Sequence, residues 1–163
     1  MITPVNSDSD IRAVVKLGRQ IWTDHYVPII GVGQVEYMLE KFQSFDAISA
    51  QIADQDFWYF LIQHQHRPVG YIGLQRQDDT LFLSKLYVME IARGKGLAKK
   101  GVEFSRSFAR DHDLSRLILT VNRNNSVAIA AYERMGFTRT GEQVTDIGEG
   151  YEMDDFVFEL TVT

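Results

Sequence analysis

Residues 91–101 read IARGKGLAKKG, with Gly94 and Gly96 one residue apart and Arg93, Lys95, Lys99 and Lys100 around them. Glycine lets backbone amides approach a bulky anion with no Cβ in the way. Amides at the start of a helix also attract negative charge. A strand-like run, LFLSKLYV, precedes the loop and a helix-like run follows it. These residue types suit a diphosphate held on backbone N–H groups. A dinucleotide fingerprint would need G-x-G-x-x-G, but Lys99 stands at the third glycine and no acidic residue closes a second parallel strand. A P-loop would need G-x-x-x-x-G-K-[ST]. Gly96 and Gly101 have that spacing, but Val102 and Glu103 replace the lysine and the hydroxyl residue. A glycine turn with solvated lysines would account for the same residues without a ligand.

A second stretch, NNSVAIAAYERMGF, bears on the choice. Asn125, Ala128, Tyr132, Gly136 and Phe137 are spaced as in one signature of the GNAT N-acetyltransferases, and Arg93, Gly96 and Ala98 match that family's acyl-coenzyme A loop. The two patterns occur in the family's order within residues 84–137, so the chain resembles a GNAT enzyme. The runs LSKLYVM and DIGEGYEMDDFVFEL, with the helical start, resemble a bacterial branch that includes polyamine N-acetyltransferases.

The resemblance implies acetyl-CoA as co-substrate, no metal, and a primary amine as acceptor, a polyamine or similar small amine first. A protein N-terminus or lysine is the alternative acceptor, and a silent acyl-CoA-binding regulatory module the alternative function. It implies that two parallel strands, KLYVM and LILTV, splay apart, and that pantetheine pairs with the backbone at Leu86, Tyr87 and Val88. The diphosphate would then lie on Arg93, Gly94, Lys95, Gly96, Leu97, Ala98 and Lys99. Asn125 would touch the coenzyme or cap its helix. The Val88 N–H would polarise the thioester carbonyl, and Tyr132 would protonate the leaving thiolate. Trp22, Tyr26 and Tyr37 would line the acceptor pocket. Many members carry a carboxylate on the strand before the loop. Ser84 and Lys85 stand there instead, and Glu90 reads as a solvated loop acid, so the sequence identifies no base and a water chain is one option.

The elements that must position these residues follow from periodicity. Residues 2–5 suit a short strand. Apolar residues from Ile11 to Trp22 recur at helical spacing, and VPIIGVG is expected to break that helix. Gln34–Phe42 reads as a second helix, and Ser44 caps a third that carries Ile48 and Ile52 on one face. From Phe57 the pattern turns aromatic and β-branched. FWYFLIQ, VGYIGLQRQ and TLFLSKLYVM form an antiparallel meander. Leu97, Gly101, Phe104 and Phe108 mark one helix face. SRLILTV is the next strand, and the helix SVAIAAYERM should end at Gly136. FTRTGEQV and YEMDDFVFELTV close the chain as a hairpin. The expected architecture is α/β: a mixed twisted sheet with helices on both faces, one domain over residues 1–163.

The chain has 163 residues and a net charge of −5, which argues against general nucleic-acid binding. The absence of cysteine excludes a thiol nucleophile and a Cys-ligated metal. His25, His64, His66 and His112 are not at metal-ligand spacing. The N-terminus has no signal-peptide pattern, no run is long enough for a membrane span, and a cytoplasmic location is expected. Glu149, Glu152, Asp154 and Asp155 offer either an acidic patch for a polyamine or a solvated strand edge. The long C-terminal strands are compatible with a homodimer.

Overall fold

The change of periodicity at Phe57 marks where the long strands begin in the computed structural model, which describes residues 1–162. β1 (Ile2–Pro4) pairs antiparallel with β2 (Phe57–His64), which continues into β3 (Arg67–Gln77) and β4 (Thr80–Val88). β5 (Arg116–Asn122) lies parallel to β4, and β6 (Thr138–Gly148) with β7 (Tyr151–Thr161) forms the terminal hairpin. The seven strands make one sheet in the order β1-β2-β3-β4-β5-β7-β6. Gln65 and His66 turn β2 into β3 with φ of 51° and 65°. Two consecutive positive φ values suit the right-handed twist of the strands they join.

The helices α1 (Asp8–Ile30), α2 (Val32–Phe42) and α3 (Phe45–Ala53) cover one face. The helices α4 (Leu97–Asp111) and α5 (Ser126–Arg134) cover the other. Ser7 caps α1 through Asp10 N at 3.1 Å, and Ser44 caps α3 through Ala47 N at 3.2 Å. α1 does not stop at its proline. It runs through Pro28 to Ile30 and ends at Gly31, where φ is 87°. Pro28 removes one N–H two residues before the helix ends, so the loss is local. Two helical glycines set how closely the layers approach. A Cβ on Gly18 would lie 2.9 Å from the Tyr71 hydroxyl, and one on Gly101 would lie 2.7 Å from Leu86 Cδ1.

The sheet opens at its centre. β4 and β5 pair only at Thr80↔Arg116, Leu81↔Leu117 and Phe82↔Ile118. Beyond Phe82 each follows its outer partner: β4 stays on β3 as far as Val88, and β5 stays on β7 as far as Asn122. Backbone groups on the two facing edges therefore lack strand partners, a state that calls for another hydrogen-bonding chain or water. Among the described residues no helix is long and apolar enough to cross a membrane.

Candidate active site

The loop after β4 has Gly94 at φ 79° and Gly96, the residue that starts α4, at φ 73°. A side chain would be strained at either position. No atom lies within 4 Å of where a Cβ would stand, so packing is not what requires glycine here. The first amides of α4, from Leu97 onward, have no partner within the helix. They face a hollow of about 320 Å³ lined by Arg93, Gly94, Gly96, Ala98, Lys99 and Arg134. Leu97 is buried in the core and offers the hollow backbone rather than charge. Lys95 is exposed and does not line the hollow, whereas Arg134, absent from the sequence expectation, does.

From this hollow a groove of about 200 Å³ runs along the opening between β4 and β5, past Leu86, Val88, Leu119, Ala128 and Tyr132. Strand alternation decides which β4 groups can serve it. Met89 N–H donates to Val69 O on β3 at 2.7 Å. Tyr87 therefore turns its N–H and C=O toward β3 as well, while Leu86 and Val88 turn theirs into the opening. The Val88 carbonyl already accepts from Arg93 Nε at 3.3 Å, which leaves the Val88 N–H. Tyr87 thus differs from the expectation: its backbone is occupied by the sheet. Its ring lies on the opposite face, 5.5 Å from Trp22 and 6.2 Å from Tyr26.

α5 is clamped at both ends by local sequence. Asn125 is 3% exposed, and its Oδ1 caps the helix from Ala128 N at 3.3 Å. The same oxygen meets His25 Nε2 at 3.2 Å, so that nitrogen carries the ring proton. Asn125 Nδ2 reaches Tyr26 Oη at 3.5 Å. At the other end Gly136 takes φ 100°. Gly136 N–H donates to Glu133 O and Phe137 N–H donates to Tyr132 O, both at 3.1 Å. That pair of bonds is a Schellman motif, and the Phe137 ring packs 5.5 Å from Tyr132. The Gly-Phe of the sequence signature therefore fixes the backbone and ring of Tyr132 at the groove. Burial, and then the nearby Tyr26 hydroxyl, raise the Tyr132 phenol well above the usual tyrosine range. Its O–H stays a donor at every working pH, but giving up the proton is harder than for a solvated tyrosine.

Across the sheet lies a second cavity, of about 310 Å³. Tyr26, Ser84, Tyr87, Thr120 and Val121 line both it and the groove, so the two spaces adjoin at the splay. Trp22 lines it and stacks at a tilt on Tyr26, 5.0 Å away. Tyr37 lines neither space. It donates to Ile147 O at 2.6 Å and packs 5.4 Å from Tyr151, which ties α2 to the terminal hairpin.

Among the described residues Lys85 and Asp155 are the only charged groups lining this cavity. The aim of Lys85 comes from a bulge. The register passes from Gly73↔Lys85 to Leu74↔Leu83, which leaves Ser84 as the extra residue. An extra residue reverses the inside–outside alternation, so Lys85 faces the cavity while Leu83 and Leu86 face α4. Gly73 opposite leaves room for it: a Cβ there would lie 3.3 Å from Lys85 Cβ. Lys85 is 8% exposed and Asp155 5%. Burial pushes the Lys85 ammonium down to about 7. Burial, and then the Asp154 charge, push the Asp155 carboxyl up to about 6. Asp154 itself is paired with Arg123 at 3.2 Å, and Glu149 and Glu152 are exposed, so the acidic tail contributes only Asp155 to the cavity.

Residues 19–137 match the acetyltransferase (GNAT) family. The chain is 29% identical over 135 residues to the 5-NmdU N-acetyltransferase of Pseudomonas phage PaMx11, covering 81% of this chain and 92% of that protein. It is 28% identical over 103 residues to human N-acetyltransferase 8, covering 60% of this chain but only 45% of that longer protein. The PaiA N-acetyltransferase of Thermoplasma acidophilum, solved with coenzyme A, superposes with a TM-score of 0.83 at 20% identity, covering 99% of both chains. The chain belongs to the GNAT acetyltransferase family. It is an acetyl-CoA-dependent N-acetyltransferase.

Proposed function

We propose that this chain transfers the acetyl group of acetyl-CoA to a small primary amine that enters from the α1–α2 side. One observation carries the reading: a groove and an aromatic cavity lie on opposite faces of the splayed strands and share a wall at Tyr26, Tyr87 and Thr120. The diphosphate lies on the α4 amides between Arg93 and Lys99, where two glycines leave the surface open. Pantetheine pairs with the free backbone edge at Leu86, and the Val88 N–H is left for the thioester. The acceptor space, about 310 Å³, suits a small molecule. The polyamine implied by the sequence resemblance is one candidate of that size.

The thioester supplies an activated acetyl carbon, and the protein supplies position. Nitrogen attacks that carbon, a C–N bond forms, the C–S bond breaks, and the thiolate leaves. An ammonium first loses one proton to a base or to water so that its nitrogen can attack; the attacking amine then gives up a second proton, and the thiolate gains one. Holding both partners in register is worth several kcal/mol, on the order of 7 at the upper end. The Val88 N–H points at the developing oxyanion, an interaction worth about 3 kcal/mol. Tyr132 donates its O–H to the departing sulfur. Asp155 is the one carboxylate in reach of the incoming ammonium.

The test is thiol release from acetyl-CoA across a panel of amines, with Tyr132→Phe beside the wild type. Loss of about two to four orders of magnitude in kcat with coenzyme binding intact is expected for a positioned acid. Unchanged turnover would remove Tyr132 from the mechanism. Tight acetyl-CoA binding with no turnover on any amine would make the chain a sensor instead.

A further inference from the structure

The acceptor cavity carries donors whose hydrogen-bonding capacity is not filled. Among the described residues Lys85 belongs to no ion pair. Its Nζ has one long contact, to Gln51 Oε1 at 3.4 Å, and lies 5.2 Å from the Phe57 ring centre and 5.1 Å from that of Tyr59. Gln51 has little more to give: its Oε1 also accepts from Tyr59 Oη, and its Nε2 donates to Phe42 O. Gln43, next to Phe42, is 2% exposed, and its Nε2 is buried without a partner. The orientation of that amide is fixed by its neighbours. Tyr71 Oη donates to Gln43 Oε1 at 2.8 Å. The Trp22 indole, which can only donate, lies against the same hydroxyl without forming a well-shaped bond of its own. Tyr71 must therefore give its proton to a carbonyl, and the Gln43 NH₂ is what remains for the cavity. Asp155 lines the same cavity from β7, opposite Asn122 on the β5–β7 pair.

A buried cation with no ion-pair partner on β4 and a buried unmatched amide donor at the end of α2, with a lone carboxylate on β7, give the cavity a defined polarity. Unpaired buried donors of this kind are costly, and a ligand that supplies the acceptors removes the cost. A polyamine does not: a second ammonium would meet Lys85 and two unpaired N–H groups. We infer that the natural acceptor is a primary amine that also bears a carboxylate, with the carboxylate on Lys85 and Gln43 and the amine beside Asp155 at the splay. The inference rests on the acetyl-transfer reading of this site and narrows its substrate class to amino-carboxylates.

The experiment compares matched acceptors: amino acids of increasing chain length, the amines left when their carboxylates are removed, and diamines of equal length. Initial rates with acetyl-CoA give kcat/KM for each. The carboxylate-bearing member is expected to lead its partner by about tenfold to a hundredfold, the range of a hydrogen-bonded charge contact. In Lys85→Met that ratio collapses toward one. A diamine or carboxylate-free amine that outperforms every amino-carboxylate overturns the inference and leaves the acetyltransferase reading standing. A ratio that Lys85→Met leaves unchanged, whatever happens to absolute rates, also overturns it, because a base or a purely structural lysine would affect both members alike. No turnover on any amine despite bound acetyl-CoA overturns the transfer reading, and this inference with it.

Discussion

Replacing Lys85 with methionine is expected to stabilise the unliganded protein, by an amount that shrinks as pH rises. Burial moves the ammonium from 10.5 to about 7, with no opposing carboxylate to restore it. At about 1.4 kcal/mol per decade, carrying that proton costs about 5 kcal/mol more in the folded state than in the unfolded chain. Methionine keeps the length and apolar contacts of the stem and carries no charge. Because the folded value lies below the unfolded one, the deficit is complete below about pH 7 and disappears as pH climbs toward 10.5. Imperfect packing of the replacement takes back part of the gain, so an increase of about 2–4 kcal/mol at pH 6 is the expectation. At pH 9 the advantage over wild type should be smaller by about 2–3 kcal/mol. Urea unfolding at the two pH values, extrapolated linearly, reads both quantities. A variant less stable than wild type at pH 6, or an advantage that does not change with pH, would refute the description of Lys85 as an unmatched buried amine.

Asp155→Asn bears on the other end of the cavity. The Asp155 carboxyl, raised to about 6, is charged above that pH and neutral below it. The wild-type kcat/KM should therefore fall about tenfold per unit below pH 6, and Asp155→Asn should lose that limb together with most of its activity. A profile of unchanged shape in the variant would separate Asp155 from the amine. Asn125→Ala removes the cap of α5 and the partner of His25 and Tyr26. Differential scanning calorimetry should show a loss of about 1 kcal/mol, a drop of roughly 2–4 °C in a chain of this size.

The arrangement of the groove proposed for the coenzyme was legible in the sequence because its geometry is local. Gly94 and Gly96 take backbone angles that only glycine adopts freely, and they do so within six residues of Arg93. Asn125, Tyr132, Gly136 and Phe137 interact through a cap and a Schellman turn that span a few residues each. The acceptor half was not legible in the same way. Alternation along LFLSKLYV puts Lys85 on the α4 face, and only the bulge at Ser84 reverses it. A bulge depends on the partner strand, and nothing in β4 alone announces one. Gln43 and Asp155 meet the cavity from the end of α2 and from β7, far from Lys85 in sequence. Tyr37 illustrates the converse. It has the right residue type on the right helix, but its hydroxyl is committed to Ile147 O. The expected break in VPIIGVG falls at Gly31 and not at Pro28, since a proline near a terminus breaks little.

The two halves also differ in what holds their residues in place. Around the groove, folding and function want the same thing. The Schellman turn that ends α5 places Tyr132, and Asn125 caps the helix while lining the groove. Across the sheet they want opposite things. Phe57 and Tyr59 would pack against an apolar side chain at position 85 at less cost than a lysine. Gly73 and the bulge at Ser84 give up sheet regularity to make room for that lysine and to aim it. A local rule broken by several neighbouring residues in one direction, with no gain to the fold, is what a binding demand looks like in a structure. The demand is for an anion or strong hydrogen-bond acceptor between α2 and β4, and the amino-carboxylate inferred above would meet it with the same molecule that brings the nucleophile.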